Sequence, residues 1–176
     1  MPLAPLVRQL QQVPLTAEVV ARLGRDERLR LGGSGRAGRA LVASALAGLQ
    51  QAPLLVIVPT LEEAGRWASL LELMGWAASH LYPTSEGSPY EPFDPTSEIT
   101  WGQLQVLAEL VGARESAAPL AIVATERALQ PHLPPPAVLA RQCLSLNRGD
   151  SVDLEQLGLT LTRLGYERVG AIEQEG

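Results

Sequence analysis

The sequence predicts an α/β fold: a mostly parallel sheet flanked by helices, followed by the start of a small α+β domain. Two apolar runs, Leu54 to Val58 and Leu120 to Ala124, read as strands buried on both faces of a parallel sheet. Helical patterns alternate with them, as in successive β–α units. The composition then changes at Leu133-Pro134-Pro135-Pro136, where consecutive prolines hold the backbone extended and donate no hydrogen bonds. The expected organisation is one domain over 1–133, a proline linker at 134–137, and an incomplete second domain over 138–176.

Along the chain, Leu6 to Leu23 has helical spacing broken at Val13-Pro14, so two short helices are expected, with Thr16 capping the second. Leu29-Arg30-Leu31 reads as a strand entering a glycine loop, and Ala40 to Gln50 as the helix after it. Thr60 and Glu63 form a capping box for a helix over Leu61 to Met74 that Gly75 stops. Ser79 to Tyr82 suggests a strand. Pro83 to Pro95 is a loop with four prolines, the aromatic pair Tyr90 and Phe93, and several carboxylates; loops of that length are functional or clamped by tertiary contacts. Asp94-Pro95 starts an amphipathic helix ending near Gly112, and Thr125 to Leu129 is a short capped helix. Beyond the prolines come a short strand at Leu144 to Leu146, a helix over Asp150 to Leu164 closed by Gly165, and a strand over Tyr166 to Ile172. That last strand has no evident partner within the chain, which reads as cut short.

The loop from Gly33 to Ala40 is the first candidate site. Gly33 and Gly38 occupy the glycines of the phosphate-loop pattern G-x-x-x-x-G-K-[ST], but Arg39 and Ala40 replace the lysine and the hydroxyl residue. A guanidinium does not reproduce the compact ammonium on the terminal phosphates. Alanine cannot hold magnesium. All 14 basic residues are arginine, so no lysine elsewhere can substitute. No acidic residue ends a buried strand in the position that would order magnesium's water shell; Glu126 is nearest and reads as a helix cap. The loop is therefore expected to be a tight strand-to-helix turn with at most weak anion affinity, and no cofactor and no metal is expected in this chain.

Composition narrows the function further. The 176 residues carry a net charge of −5 without a basic block or stripe, which argues against nucleic-acid binding by this chain alone. Cys143 is the only cysteine, so no internal disulfide or thiolate cluster is possible. No apolar run reaches the ~18 residues of a membrane span, and the N-terminus lacks a basic start and a small-residue cleavage site. A cytoplasmic protein without a membrane partner is expected.

The stretch LYPTSEGSPYEPFDPTSEITWGQL, residues 81–104, is a denser signal than the glycine loop. It resembles a segment P-x-x-E-x-x-P-Y-x-x-F-x-P followed by a helix, found near the N-terminus of bacterial transcription-repair coupling factors. Pro83, Glu86, Pro89, Tyr90, Phe93 and Pro95 are in register with it. Leu54 to Thr60, AIVATERALQPHLPPP and GYERVGAIEQEG are similar to further segments of that family in the same order. The resemblance implies a fragment of a large ATP- and Mg-dependent DNA translocase that displaces stalled RNA polymerase and recruits nucleotide excision repair. It implies a module similar to the UvrB repair protein, with a helicase-like (RecA-like) fold that has lost its ATPase motifs. It also implies a second domain that contacts the damage-recognition protein UvrA, with part of that surface missing here. RNA polymerase and DNA would be met only through parts of the protein outside this chain.

Tyr166 and Arg168 are candidates for the partner surface, although a Tyr after a helix-ending Gly is commonly a core residue and a single Arg commonly solvated. Tyr90 and Phe93 also fit simple packing of their loop onto the sheet. His80 and His132 are too isolated to serve as ligands or bases, and Trp67, Trp76 and Trp101 read as core or domain-contact residues. Beside the interaction module, two readings stay open: a weak nucleotide-binding protein and a stand-alone scaffold.

Overall fold

The computed structural model describes residues 3–25, 28–84, 98–116 (backbone only over 113–116), 119–130, 133, 135–144 and 146–166. The chain divides into two compact units, 1–133 and 134–176.

In the first unit, helices α1 (Ala4–Gln11) and α2 (Pro14–Leu23) meet at the break before Pro14, which sits at the first helical position, where its missing N–H is no loss. Thr16 does not cap α2. Val13 occupies the cap position, and Thr16 lies inside the helix with its hydroxyl donating to the Leu10 carbonyl at 2.7 Å, tying the two helices together. Residues 28–31 are not in the sheet. A strand exists through its neighbour, and among the described residues none lies in ladder with this segment; Leu31 is exposed. Helix α3 (Arg36–Gln50) follows directly.

Strand β1 (Leu54–Val58), helix α4 (Leu61–Met74), strand β2 (Ala78–Tyr82), helix α5 (Glu98–Ser116) and strand β3 (Leu120–Thr125) complete the layers. The sheet is parallel with order β1-β3-β2; Leu54 lies opposite Ala121, and Ala78 opposite Leu120. Helix α5 runs past Gly112 to Ser116, because a lone glycine inside a helix weakens it without ending it. Asp94 and Pro95 lie outside the described residues.

All six residues of β3 are buried, as expected for the middle strand. Strand β1 departs from the expectation of two buried faces. Val56 and Val58 pack with Ala121 and Val123 against Ala64 and Leu71 of α4, whereas Leu55 and Ile57 on the opposite face are 50% and 56% exposed. On that opposite face α5 packs against β2 and β3, with Val106 and Leu107 buried, and no described helix covers β1. A second cluster joins α1, α3 and α4 through Val7, Ala40, Ala45 and Met74. Trp76 donates from Nε1 to Ser44 Oγ at 2.8 Å, which satisfies both polar atoms where the clusters meet.

The second unit contains α6 (Pro136–Gln142) and α7 (Leu154–Arg163). The sequence reading missed α6: the last proline of the run is not linker but the first residue of a helix, a position proline favours. The expected strand at Leu144–Leu146 does not form at its described residues. Helix α7 starts four residues later than expected. Asp150 accepts from the Asn147 amide at 2.7 Å in a turn with Gly149 at φ +101°, and Asp153 is the cap, accepting from the Glu155 and Gln156 amides at 2.9 and 3.2 Å. Neither α6 nor α7 buries a residue. Apart from Tyr166, which is not in a strand, the expected strand to Ile172 lies outside the described residues.

Candidate functional site

Gly33 adopts the left-handed backbone region at φ +78°, Gly35 is the extended N-cap of α3, and the helix begins at Arg36. A phosphate loop needs the residues between its two glycines to stay non-helical, so that their amides converge on the ligand. Here Arg36 and Ala37 are already helical, and the Arg39 amide donates to the Gly35 carbonyl at 3.0 Å in an ordinary helical bond. Three side chains complete the arrangement. Arg39 folds back, donating from Nε to the Ser34 carbonyl at 3.2 Å. Arg36 grips the Glu63 carboxylate with two bonds, Nε to Oε2 at 3.0 Å and Nη2 to Oε1, so its charge is matched. Ala40, at the position a magnesium-holding hydroxyl would take, is completely buried in the cluster with Val7, Ala45 and Met74.

The Arg36–Glu63 pair pins the start of α3 to the start of α4. It also corrects the capping box, of which only half forms: the Glu63 amide donates to Thr60 Oγ1 at 3.2 Å, while the Glu63 carboxylate serves Arg36 and, at 3.7 Å, Arg66. A partner 27 residues distant leaves no local signal in sequence. Glu126 takes the N-cap position of the 3₁₀ turn Arg127–Leu129, as expected, but its side chain makes no cap bond; the Ala128 amide donates instead to Thr125 Oγ1 at 3.2 Å.

Of the proline-rich stretch, only its first residues are described. Pro83 follows β2; its carbonyl accepts from Gln103 Nε2 of α5 at 2.9 Å, and its ring fills the space beside Gly102, where an added Cβ would come within 2.8 Å of it. Thr84 and Thr125 share a hydroxyl–hydroxyl bond of 2.7 Å across the ends of β2 and β3. Glu86, Pro89, Tyr90, Phe93 and Pro95 lie outside the described residues, as do His132 and Arg168. His80 is not isolated: from β2 its Nε2 pairs with Glu109 on α5, a carboxylate that also accepts from Gln105 at 3.5 Å. Beside it Tyr82 is buried, and desolvation raises its phenol pKa above the usual 10.0. Among the tryptophans, Trp67 and Trp76 pack on the core, while Trp101 is exposed on α5.

Tyr166 is 55% exposed and so is not a core residue. Its amide donates to the Leu161 carbonyl at 3.0 Å, closing α7 beyond Gly165, and its ring borders an apolar groove of about 380 Å³ with Leu154, Gly158, Leu161 and Thr162. Among the described residues no group of three or more His, Cys, Asp or Glu side chains could hold a metal ion, and no helix is long and apolar enough to cross a membrane.

Comparison with known proteins bears on nearly every residue of this arrangement. Transcription-repair-coupling factors of Mycobacterium bovis and Mycobacterium tuberculosis are each 32% identical to the chain over 180 aligned residues, 99% of its length. The chain is similar to coupling factors from end to end. The factor of Haemophilus influenzae is 28% identical over 137 residues, 78% of the chain. The chain spans only 14% of the mycobacterial proteins and 12% of the Haemophilus one, so it corresponds to a small part of those coupling factors. No protein-family model matches the chain, and no solved structure matches it.

Proposed function

We propose that the chain is the N-terminal portion of a transcription-repair coupling factor and serves it as a non-catalytic interaction module. In this reading the first unit is a helicase-like, RecA-like domain without ATPase chemistry, the second is the start of a UvrA-contacting domain, and both act in the cytoplasm. The observation that carries the loss of chemistry is the placement of Ala40. The residue that would hold magnesium faces the apolar cluster of α1, α3 and α4, and the helix has advanced over half of the loop that would cradle phosphate. ATP, magnesium, RNA polymerase and DNA belong to other parts of the longer protein, and UvrA is the direct partner of the second unit, with Tyr166 and Arg168 in the contact.

Two measurements test this. Millimolar Mg-ATP leaves the melting temperature of the chain unchanged, and no phosphate is released. A ligand at 100 times its Kd would add about 2.7 kcal/mol, a shift of several degrees, and such a shift would establish the weak nucleotide-binding reading instead. Arg39→Ala is the control for it, because Gly38→Val would push a Cβ to within 3.0 Å of Ser34 and disturb the helix start by itself. Calorimetry against purified UvrA, with Tyr166→Ala reducing the affinity, tests the partner; no heat of binding from either protein sinks that part of the proposal.

A further inference from the structure

We propose that residues 28–39 form a docking site for a short acidic segment of a partner protein. The site goes beyond the coupling-factor reading and does not depend on it. In a chain of net charge −5, this stretch, RLRLGGSGRAGR, holds four arginines and no carboxylate. No basic block stands out in sequence, because leucines and glycines separate the charges. The structure shows which of them are neutralised. Arg36 is matched by Glu63, whereas Arg28, Arg30 and Arg39 are exposed and pair with no carboxylate among the described residues; Arg39 makes only its bond to the Ser34 carbonyl. Helix α3 adds to this charge. It has neither a side-chain cap nor an acidic residue in its first turn, so no group of its own offsets the positive end of its dipole.

The backbone decides which kind of polyanion fits. Among the described residues, 28–33 form no ladder and no backbone–backbone hydrogen bond, so their N–H and C=O groups are both open to a ligand. Gly32, Gly33 and Gly35 have empty space where a side chain would stand, which lets a ligand approach the main chain closely. A phosphate backbone only accepts hydrogen bonds; it would answer the amides and the arginines but not the carbonyls. A peptide supplies donors and acceptors in alternation, as in strand addition, and its aspartates or glutamates match the forked geometry of guanidinium groups. Leu31, 50% exposed beside Arg30, offers an apolar contact that a peptide side chain can use and a phosphate cannot.

The test is a fluorescence titration of the 176-residue chain into a labelled octapeptide of alternating glutamate and valine at low salt. Saturable binding is expected, with the amide resonances of residues 28–34 shifting as the peptide is added. Arg28→Gln combined with Arg30→Gln weakens binding about tenfold or more, as loss of two charge-assisted contacts should. Both side chains are exposed, so the melting temperature of that variant stays within about 2 °C. Arg163→Gln, on the exposed side of α7, leaves the affinity unchanged. Equal binding of the peptide with glutamine in place of glutamate overturns the inference, as does no binding at all. A loss as large with Arg163→Gln reduces the effect to general charge attraction and overturns it too. A single-stranded oligothymidylate that binds more tightly than the peptide and is weakened by the same double variant assigns the stretch to nucleic acid instead. Each of these outcomes leaves the coupling-factor reading intact.

Discussion

Helices α4 and α7 carry the same punctuation and have opposite fates. Each starts at a side-chain cap, Thr60 or Asp153, and each ends with a left-handed glycine followed by an aromatic residue whose amide bonds the carbonyl of a leucine five positions back: Trp76 to Leu71 at 3.2 Å, and Tyr166 to Leu161 at 3.0 Å. Yet Leu71 is completely buried under the sheet, while α7 buries nothing and Tyr166 stands exposed. Caps and closing glycines are satisfied within a few residues, so they fix where a helix begins and ends. Whether its apolar stripe stabilises the protein depends on what lies across from it. In α4 that is the Val56, Val58, Ala121 and Val123 surface; in α7, among the described residues, it is an open groove.

The comparison can be broken most sharply at the paired leucines. Leu71→Ala is expected to lose ~2–5 kcal/mol through lost transfer energy and the cavity left behind, read as a lowered denaturation midpoint. Leu161→Ala should change stability by less than about 1 kcal/mol; an equal effect at both positions would mean that α7 is packed after all. Next come the closing glycines. Gly75 sits at φ +96° with Ala4 Cβ only 2.8 Å from where a side chain would begin, so Gly75→Ala combines backbone strain with a collision and costs roughly 1–3 kcal/mol. At Gly165, φ +92° with open space around it, the same change costs about 1 kcal/mol at most, confined to α7. The caps follow. Thr60→Ala lowers global stability by about 1 kcal/mol, whereas Asp153→Ala frays α7, seen in its amide chemical shifts, without moving the unfolding of the first unit.

The smallest effect is one of pH. Burial raises the Tyr82 pKa in the folded state above its unfolded value near 10.0. The unfolded chain therefore ionises first, and the stability linked to Tyr82 is present below pH 10 and lost as pH rises through the folded value. Tyr82→Phe should flatten this alkaline decline in a series of melts; an unchanged slope would assign the decline to other groups.

Much of the fold was legible in the sequence because its signals are local. The apolar runs Leu54–Val58 and Leu120–Ala124, the Thr60 cap and the Gly75 stop each act within one turn or one strand. What was not legible depends on distant residues. Leu29-Arg30-Leu31 has strand composition but no ladder neighbour among the described residues. Leu55 and Ile57 look as buried in sequence as Val56 and Val58, and only the reach of α5 distinguishes them. Of the candidate site, the replacement of lysine and hydroxyl by Arg39 and Ala40 could be read directly, whereas the helix start at Arg36 and its grip on Glu63 could not.

The burial of Ala40 makes a phosphate loop hard to build at this place in the fold. A phosphate-loop sequence introduced by Arg39→Lys and Ala40→Thr would place a hydroxyl and an extra methyl in the space now filled by Val7, Ala45 and Met74, the hydroxyl without a partner and the methyl without room. Ala40→Thr would therefore destabilise the domain before any nucleotide could bind and compensate. Packing therefore links the loop to its neighbours: because the first turns of α3 belong to the core, opening a phosphate site here would require α1 and α4 to retreat as well.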